Sequence, residues 1–466
     1  MGIGPGCAGR TVSRSSLGAP RLAARGSRLA ARASIQCRRP FVFVTPAGFT
    51  PINSRAHLKI LIVSAQFPYP PRSGSSTRVY QLARQLSARH DVTILSYALP
   101  HERDGIAGLA AQMPVRVVKR KALSAVRKRA VQALTMMSPR PYYCREVHSR
   151  DMQRAIDDLC SAERFDVIQV EMSYLCTFRF PDHARLVINE HNIESEVFRR
   201  MCEGEQALSR RVFNRLEYLR FRRFERASWR RADACVVTSE RELPTVRAHA
   251  PATPVAAVPN SVDLAYFASS SAPPEPHAVV FNGILTYRPN LEGARYLIDD
   301  IWPLVRERYP DARLTLIGRS DGVDTRTLNR PGVELLGEVP DIRPYVHRAA
   351  VVVVPLRIGG GTRLKVVEGL AMGKAIVSTT LGCEGLAVRD REHLLIADDA
   401  VAFASRICDV FENPDRSNEL GNAGRRLVEA RYSWDLAGER LESLYRQITG
   451  EASYPSLEPE LAAAGR

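Results

Sequence analysis

The sequence predicts an α/β protein built as two Rossmann-like domains facing a central cleft. Three observations predict it. Short, β-branched, almost wholly apolar runs alternate with segments of helical period, the pattern of a parallel sheet covered on both faces. The alternation starts twice, at Leu58 and again at Ala278. Between the two series lies Asp263 to His277, which contains Ser269-Ser270-Ser271-Ala272-Pro273-Pro274, a linker composition. At 466 residues the chain is also too long for one ordinary domain.

Residues 1–57 are rich in Arg, Ala, Ser and Gly and show no apolar period. Arg21, Arg25, Arg28 and Arg32 interrupt any secretory apolar core. The segment is expected to be a disordered basic extension. From Leu58 the pattern changes. Leu58 to Ser64 (LKILIVS) reads as a strand buried on both faces, Gln66 to Ser76 as a Pro/Gly-rich loop, Thr77 to His90 as a helix, and Asp91 to Tyr97 as the next strand. Further strands are expected at Val115–Val118, Asp166–Val170, Leu186–Asn189, Ala234–Thr238 and Val255–Val258, with helical periods over 146–160 and 207–231. The second series gives Ala278–Gly283, Arg313–Ile317, Val333–Leu336, Val351–Pro355, Ala375–Ser378 and Leu394–Ile396. A final helix places Trp434, Ala437, Leu441, Leu444, Tyr445 and Ile448 on one face. The expected organisation is therefore a first domain over 58–262, a linker over 263–277 and a second domain over 278–433. A helix over 434–450 packs back toward the first domain, and a disordered tail spans 451–466.

Composition excludes several classes. Hydrophobic residues are 45% and charged residues 25%, as in ordinary globular proteins rather than disordered or fibrous ones. No apolar run approaches the ~18 residues of a bilayer-spanning helix. Net charge is +16, but residues 1–57 hold nine Arg and no acid, and the rest of the chain carries only +7. The skew of 60 Arg against 6 Lys fits GC-rich coding, so nucleic-acid binding is not expected. The nine Cys form no Cys-x-x-Cys and read as reduced, cytosolic thiols.

The stretch from Pro355 to Ser378 (PLRIGGGTRLKVVEGLAMGKAIVS) carries the chemistry. It begins at the end of a buried strand and opens with Gly359, Gly360 and Gly361, followed by Thr362. A helix is expected from about Thr362 to Met372, stopped by Gly373. Glycines let a backbone approach a phosphate, and a helix N-terminus offers unpaired N–H groups and partial positive charge. Arg363 and Lys365 add two full charges, and Glu368 lies where a carboxylate accepts hydrogen bonds from ribose hydroxyls. Together they suit a nucleoside diphosphate.

With those motifs in hand, the sequence resembles the retaining glycosyltransferases of family 4, which have the GT-B fold. The likeness runs from Leu58 to Ile448 through LKILIVSAQFPYPPRSG, VINEHNIES, RADACVVTSERE, VAAVPNSVD and VVFNGILTYRPNLEG. It is most specific in VELLGEVPDIRPYVHRAAVVVVPLRIGGGTRLKVVEGLAMGKAIVST. The resemblance implies an NDP-sugar donor held mainly by the second domain and a hydroxyl acceptor held mainly by the first. Glu368 then takes the ribose-binding position, His191 a position near sugar and acceptor, and the backbone at Glu338 and Val339 the edge of the base. The amide of Gly74 faces the diphosphate across the cleft. The sequence departs from many members in two places. A sugar-contacting Glu is replaced by Gly360, and the strand leading to Gly283-Ile284-Leu285 lacks the usual Arg and Lys after it. Arg363 and Lys365 must then supply the charge.

The expected activity is transfer of a sugar to a hydroxyl with retention, without metal or other cofactor, since no Asp-x-Asp clamp is present. Bacterial polysaccharide or cell-envelope glycan synthesis is the expected setting. A UDP-sugar 2-epimerase and a catalytically degenerate nucleotide-binding scaffold are the alternatives. His191, Arg363 and Lys365 are the expected catalytic residues. Gly74, Gly283, Glu338, Val339, Gly359 to Thr362 and Glu368 are the expected donor site. Basic stretches at 116–129, with seven Arg/Lys, and at 203–231, with nine Arg against four Glu, suit solvated helix faces. They equally suit an anionic membrane surface carrying a lipid-linked acceptor. The expected location is the cytoplasm, with a peripheral place at the inner membrane.

Overall fold

The computed structural model describes residues 57–120, 138–205, 207–361 and 363–450. The basic extension up to residue 56, residues 121–129 of the first basic stretch, Thr362 and the C-terminal tail lie outside the described residues.

Two all-parallel sheets form the frame. The first contains β1 (Lys59–Ser64), β2 (Asp91–Ala98), β3 (Val115–Lys119), β4 (Val167–Glu171), β5 (Arg185–Asn189), β6 (Ala234–Val237) and β7 (Val255–Ala257). Its strand order is β3-β2-β1-β4-β5-β6-β7. The second contains β8 (Ala278–Asn282), β9 (Arg313–Ile317), β10 (Val333–Gly337), β11 (Val351–Val354), β12 (Ala375–Ser378) and β13 (Leu395–Ile396), ordered β10-β9-β8-β11-β12-β13. In both sheets the winding direction reverses once, between β1 and β4 and between β8 and β11. Open α/β sheets bind ligands outside the carboxyl ends of the strands at such a reversal.

Period-two alternation gives each sheet two cores. Leu61, Val63, Ile168 and Val170 enter one cluster of the first sheet, and Ile60, Ile62 and Val167 enter the other. The helix Trp434–Thr449 supplies Trp434, Ala437, Leu441, Leu444 and Tyr445 to that second cluster, against the helix Gly74–Ser87. Full burial of each large side chain among them contributes about 1.5–3 kcal/mol. The chain thus leaves the first sheet after β7, builds the second, and returns. The outgoing and returning strands touch where Val262 bridges Ser433 and donates its N–H to the Tyr432 carbonyl at 2.8 Å.

Helix boundaries differ from the sequence expectation where caps intervene. The stretch expected as one helix over 146–160 is two, Tyr142–Val147 and Arg150–Ala162, because the Ser149 hydroxyl accepts the Met152 N–H at 3.1 Å and starts the helix afresh. The helix expected from Thr77 starts at Gly74, where Ser73 and Ser76 form a reciprocal cap. Among the described residues, the cysteines are free thiols and no helix is long and apolar enough to cross a membrane.

Candidate active site

The second domain contributes the loop after β11 and the helix Leu364–Ala371 that follows it. Gly359 and Gly361 have φ of +114° and +75°, in the region that disfavours a side chain. The loop is tight as well as bent. A Cβ on Gly361 would lie 2.1 Å from Asn192 Oδ1, and one on Gly360 would lie 2.9 Å from Val197 Cγ2. These glycines therefore let the loop close directly on the first domain.

Arg363 is the N-cap of the helix and is 9% exposed. Its Nη1 donates to the Gly360 carbonyl, while among the described residues its Nε and Nη2 find no acceptor. Burial lowers its pKa, with Tyr287 and Glu384 opposing. Lys365 stands one step inside the helix. Its Nζ donates to Asn290 Oδ1 at 3.1 Å and lies 4.4 Å from the centre of the Phe281 ring. Burial, reinforced by Arg363, brings its pKa down to about 7. Gly283 makes room for it, since a Cβ there would stand 2.6 Å from the lysine nitrogen. Glu368 is pushed up to about 7 by burial, partly offset by Lys365. Two cations at a helix N-terminus oppose the helix dipole, and burying them costs further. An anion with several acceptor oxygens relieves both penalties at once.

From the first domain, the N-terminus of the helix Gly74–Ser87 meets the same place. A Cβ on Gly74 would lie 3.7 Å from Leu364 Cδ1, so the two helix starts face each other. His191 follows β5. Its Nε2 is 2.6 Å from Glu171 Oε2, and its N–H reaches Met172 Sδ at 3.1 Å. Its carbonyl lies 3.2 Å from where a Gly361 Cβ would stand, which fixes residue 191 at the seam between domains. Glu338 and Val339 follow β10. Glu338 is exposed and Val339 packs against the second domain's core, and neither contacts the cluster just described.

Several site residues escape sequence reasoning. Glu171, at the end of β4, reads there as one more strand residue. Its partners, Asn189 and through it Arg78, come from β5 and from the helix Gly74–Ser87. Arg200 donates to the Gly359 carbonyl at 3.1 Å and to both oxygens of Glu384 at 2.7 and 2.9 Å, and Arg241 adds a contact to Glu384 at 3.3 Å. These pairs tie the domains together, yet they lie over 140 residues apart and carry no local signal. Glu194 is buried and pushed up to about 8 by burial and by Glu190, with Asn192 opposing. It stands in the EHNIES run, but the burial that raises its pKa is visible only in the fold.

The two facing Rossmann-like domains, with their phosphate-suited seam, have the GT-B architecture. Residues 72–266 match the model of Glycosyltransferase Family 4, and residues 276–413 match that of Glycosyl transferases group 1, so each half carries a glycosyltransferase domain. Among curated relatives, the chain is 30% identical over 211 residues to phosphatidyl-myo-inositol mannosyltransferase of Mycobacterium tuberculosis. That match covers 42% of this chain and 55% of the relative, so the chain spans about half the length of this curated relative. It is 28% identical over 157 residues to a GDP-mannose-dependent monoacylated alpha-(1-6)-phosphatidylinositol monomannoside mannosyltransferase of Corynebacterium glutamicum, covering 30% of this chain and 41% of the other. An uncharacterized protein of the Klebsiella pneumoniae cps region is 22% identical, covering 80% and 96%. Among solved structures, sucrose-phosphate synthase of Thermosynechococcus elongatus gives a TM-score of 0.64 at 19% identity, covering 84% of this chain and all of the other. Anabaena HepE in complex with UDP and glucose gives 0.59 at 14%, covering 83% and 98%. Neither the epimerase nor the scaffold alternative is favoured by these likenesses.

Proposed function

We propose that the protein is a retaining glycosyltransferase that moves a sugar from an NDP-sugar to a hydroxyl acceptor in cell-envelope glycan synthesis. One observation carries the reading: a buried Arg363 whose Nε and Nη2 find no partner among the described residues, at a helix start beside Lys365 and near the Gly74 helix. That set can neutralise a departing diphosphate without a metal. Gly359, Gly360 and Gly361 bring their backbone to the same point, and Thr362 belongs with them. Glu368 holds the ribose, Gly283 admits Lys365, and the backbone at Glu338 and Val339 takes the base.

In the reaction the acceptor oxygen bonds to C1 on the face from which the diphosphate leaves. The C1–diphosphate bond breaks with its electron pair going to the diphosphate, whose oxygen takes the acceptor's proton. Arg363 and Lys365 hold the developing charge, and His191 orients the hydroxyls. The relatives named as mannosyltransferases make GDP-mannose the first donor to try and a lipid-linked polyol the first acceptor. Support for a membrane-borne acceptor comes from the helix Leu208–Arg231. Leu208, Val212 and Leu219 are exposed along one stripe of it, at 74%, 45% and 38%, with Arg211, Arg215 and Arg222 alongside. This fits a peripheral position on an anionic cytoplasmic surface.

The test is a panel of UDP-, GDP-, ADP- and dTDP-sugars followed by nucleotide release and thermal shift, with the product anomer read by NMR. Selective stabilisation and turnover of one donor, with retention, is the expected result. No response to any donor or free nucleotide overturns the reading.

A further inference from the structure

His191 is wired into a buried polar chain that the proposed reaction does not by itself require. Its Nε2 meets Glu171 Oε2 at 2.6 Å, and the same oxygen accepts from Asn189 Nδ2 at 2.9 Å. The other oxygen, Oε1, accepts from Gln169 Nε2 at 2.6 Å. Arg78, fully buried, donates Nε and Nη2 to Asn189 Oδ1 at 3.2 and 2.7 Å and Nη1 to the Val258 carbonyl at 2.8 Å. Tyr445, on the returning C-terminal helix, donates its hydroxyl to Gln169 Oε1. Met172, directly after Glu171, is held at a φ of +83°, a strained value for a non-glycine residue, and its sulfur accepts the backbone N–H of His191.

The directions of these bonds decide the chemistry. Asn189 Oδ1 faces the guanidinium, so its amide nitrogen must face Glu171. The Gln169 amide nitrogen also faces Glu171, and its oxygen takes the Tyr445 hydroxyl. With amide nitrogens of Gln169 and Asn189 donating to its two oxygens, Glu171 acts here as the acceptor. The imidazole nitrogen against it must therefore carry a hydrogen. We infer that Glu171 is a positioning residue that fixes His191 as the Nε2–H tautomer, leaving the Nδ1 lone pair to accept a hydrogen bond from a sugar hydroxyl. A neighbouring carboxylate also makes the free nitrogen a better acceptor. The inference rests on the glycosyltransferase reading for its consequence, but not for the tautomer itself.

The experiment is ¹⁵N NMR of the full chain labelled at histidine, with His191 assigned by loss of its signals in His191→Phe, at a pH where the ring is neutral. The wild-type ring is expected as Nε2–H. Glu171→Gln can turn an amide donor toward the ring, so a measurable Nδ1–H population should appear. In donor turnover, kcat should fall about tenfold or more while the Kd for free nucleotide stays within twofold, and Glu171→Asp should recover part of the loss. A wild-type Nδ1–H ring overturns the inference, as does a Glu171→Gln enzyme whose kcat falls with the tautomer unchanged. Two arms identify the hydroxyl. Equal loss in donor hydrolysis by water and in transfer to octyl α-mannoside places it on the donor sugar. Loss confined to transfer places it on the acceptor. A wild-type protein that binds no nucleotide and turns over no donor sinks the transferase reading, while the tautomer still decides the role of Glu171.

Discussion

Replacing Arg363 by Met should move stability and binding in opposite directions. The side chain is 9% exposed, stands at the start of a helix whose dipole it opposes, and has two nitrogens without a partner among the described residues. In the free protein it is a burden, and exchange of a buried charge for an apolar side chain of similar length is commonly neutral or stabilising by about 1–4 kcal/mol. For a protein of this size that is a rise in Tm of a few degrees. The loss of the Nη1 bond to Gly360 moderates the gain by about 1 kcal/mol. In the proposed diphosphate complex, the same guanidinium gains two further charge-assisted hydrogen bonds, each worth about 1.5–3 kcal/mol. Removing both costs about 3–6 kcal/mol, or roughly a hundredfold to ten-thousandfold in the Kd for nucleoside diphosphate. Thermal unfolding without ligand and calorimetric titration with GDP and UDP measure the two quantities. A variant that melts several degrees lower and binds nucleotide as tightly as the wild type would show that Arg363 is a structural residue.

Other perturbations follow from the same geometry. Gly361→Ala places a Cβ 2.1 Å from Asn192 Oδ1 at a φ of +75°. Turnover should drop about tenfold or more through imperfect domain closure, and Asn192→Ala in the same chain should restore part of it. Nucleotide affinity should be bell-shaped in pH. Above about 7 the free protein's Lys365 has lost its proton, so binding a diphosphate takes one up and affinity falls by up to tenfold per unit; below about 7 Glu368 is neutral and the ribose contact weakens more shallowly. Calorimetry in buffers of different ionisation enthalpy reads the proton count, and Lys365→Met should flatten the alkaline limb alone. In the unfolded chain this lysine stays charged to about pH 10, so the free fold gains stability as pH rises above 7. Glu384→Gln weakens the pairs from Arg200 and Arg241 that join the domains. It should widen the cleft in small-angle scattering and weaken nucleotide binding about five- to thirtyfold, for a loss of about 1–2 kcal/mol. High salt should reproduce part of this in the wild type.

The strands were legible because they are buried on both faces. Runs such as Val351–Val354 and Ile60–Val63 leave no other reading, and each observed strand falls within about two residues of its expected place. The glycine loop was legible for a related reason: three successive glycines at a strand end, with charges after them, serve few purposes. The carboxylate behind His191 was not. Glu171 gains its meaning only when β4 and β5 lie side by side and Arg78 reaches across from a helix over 90 residues earlier. The domain tie through Arg200 and Glu384 was hidden likewise, since an arginine on a helix ordinarily faces water. Adjacency written into the chain is readable; adjacency made by the sheet order is not.

The returning helix has a consequence for how the protein is made. Trp434, Ala437, Leu441, Leu444 and Tyr445 complete the first sheet's core, yet they are among the last described residues of the chain. During synthesis the first half emerges whole but with one face of its sheet uncovered, and must wait while the entire second half is translated. At about 5–20 residues per second, the roughly 180 residues from the end of β7 at Ala257 to that helix take on the order of ten to forty seconds. For that interval an apolar face is open to solvent, and the Gln169 end of the chain behind His191 lacks Tyr445. A ribosome-stalled nascent chain ending before Trp434 should therefore engage chaperones, and the polar chain behind His191 is completed only after the last helix docks.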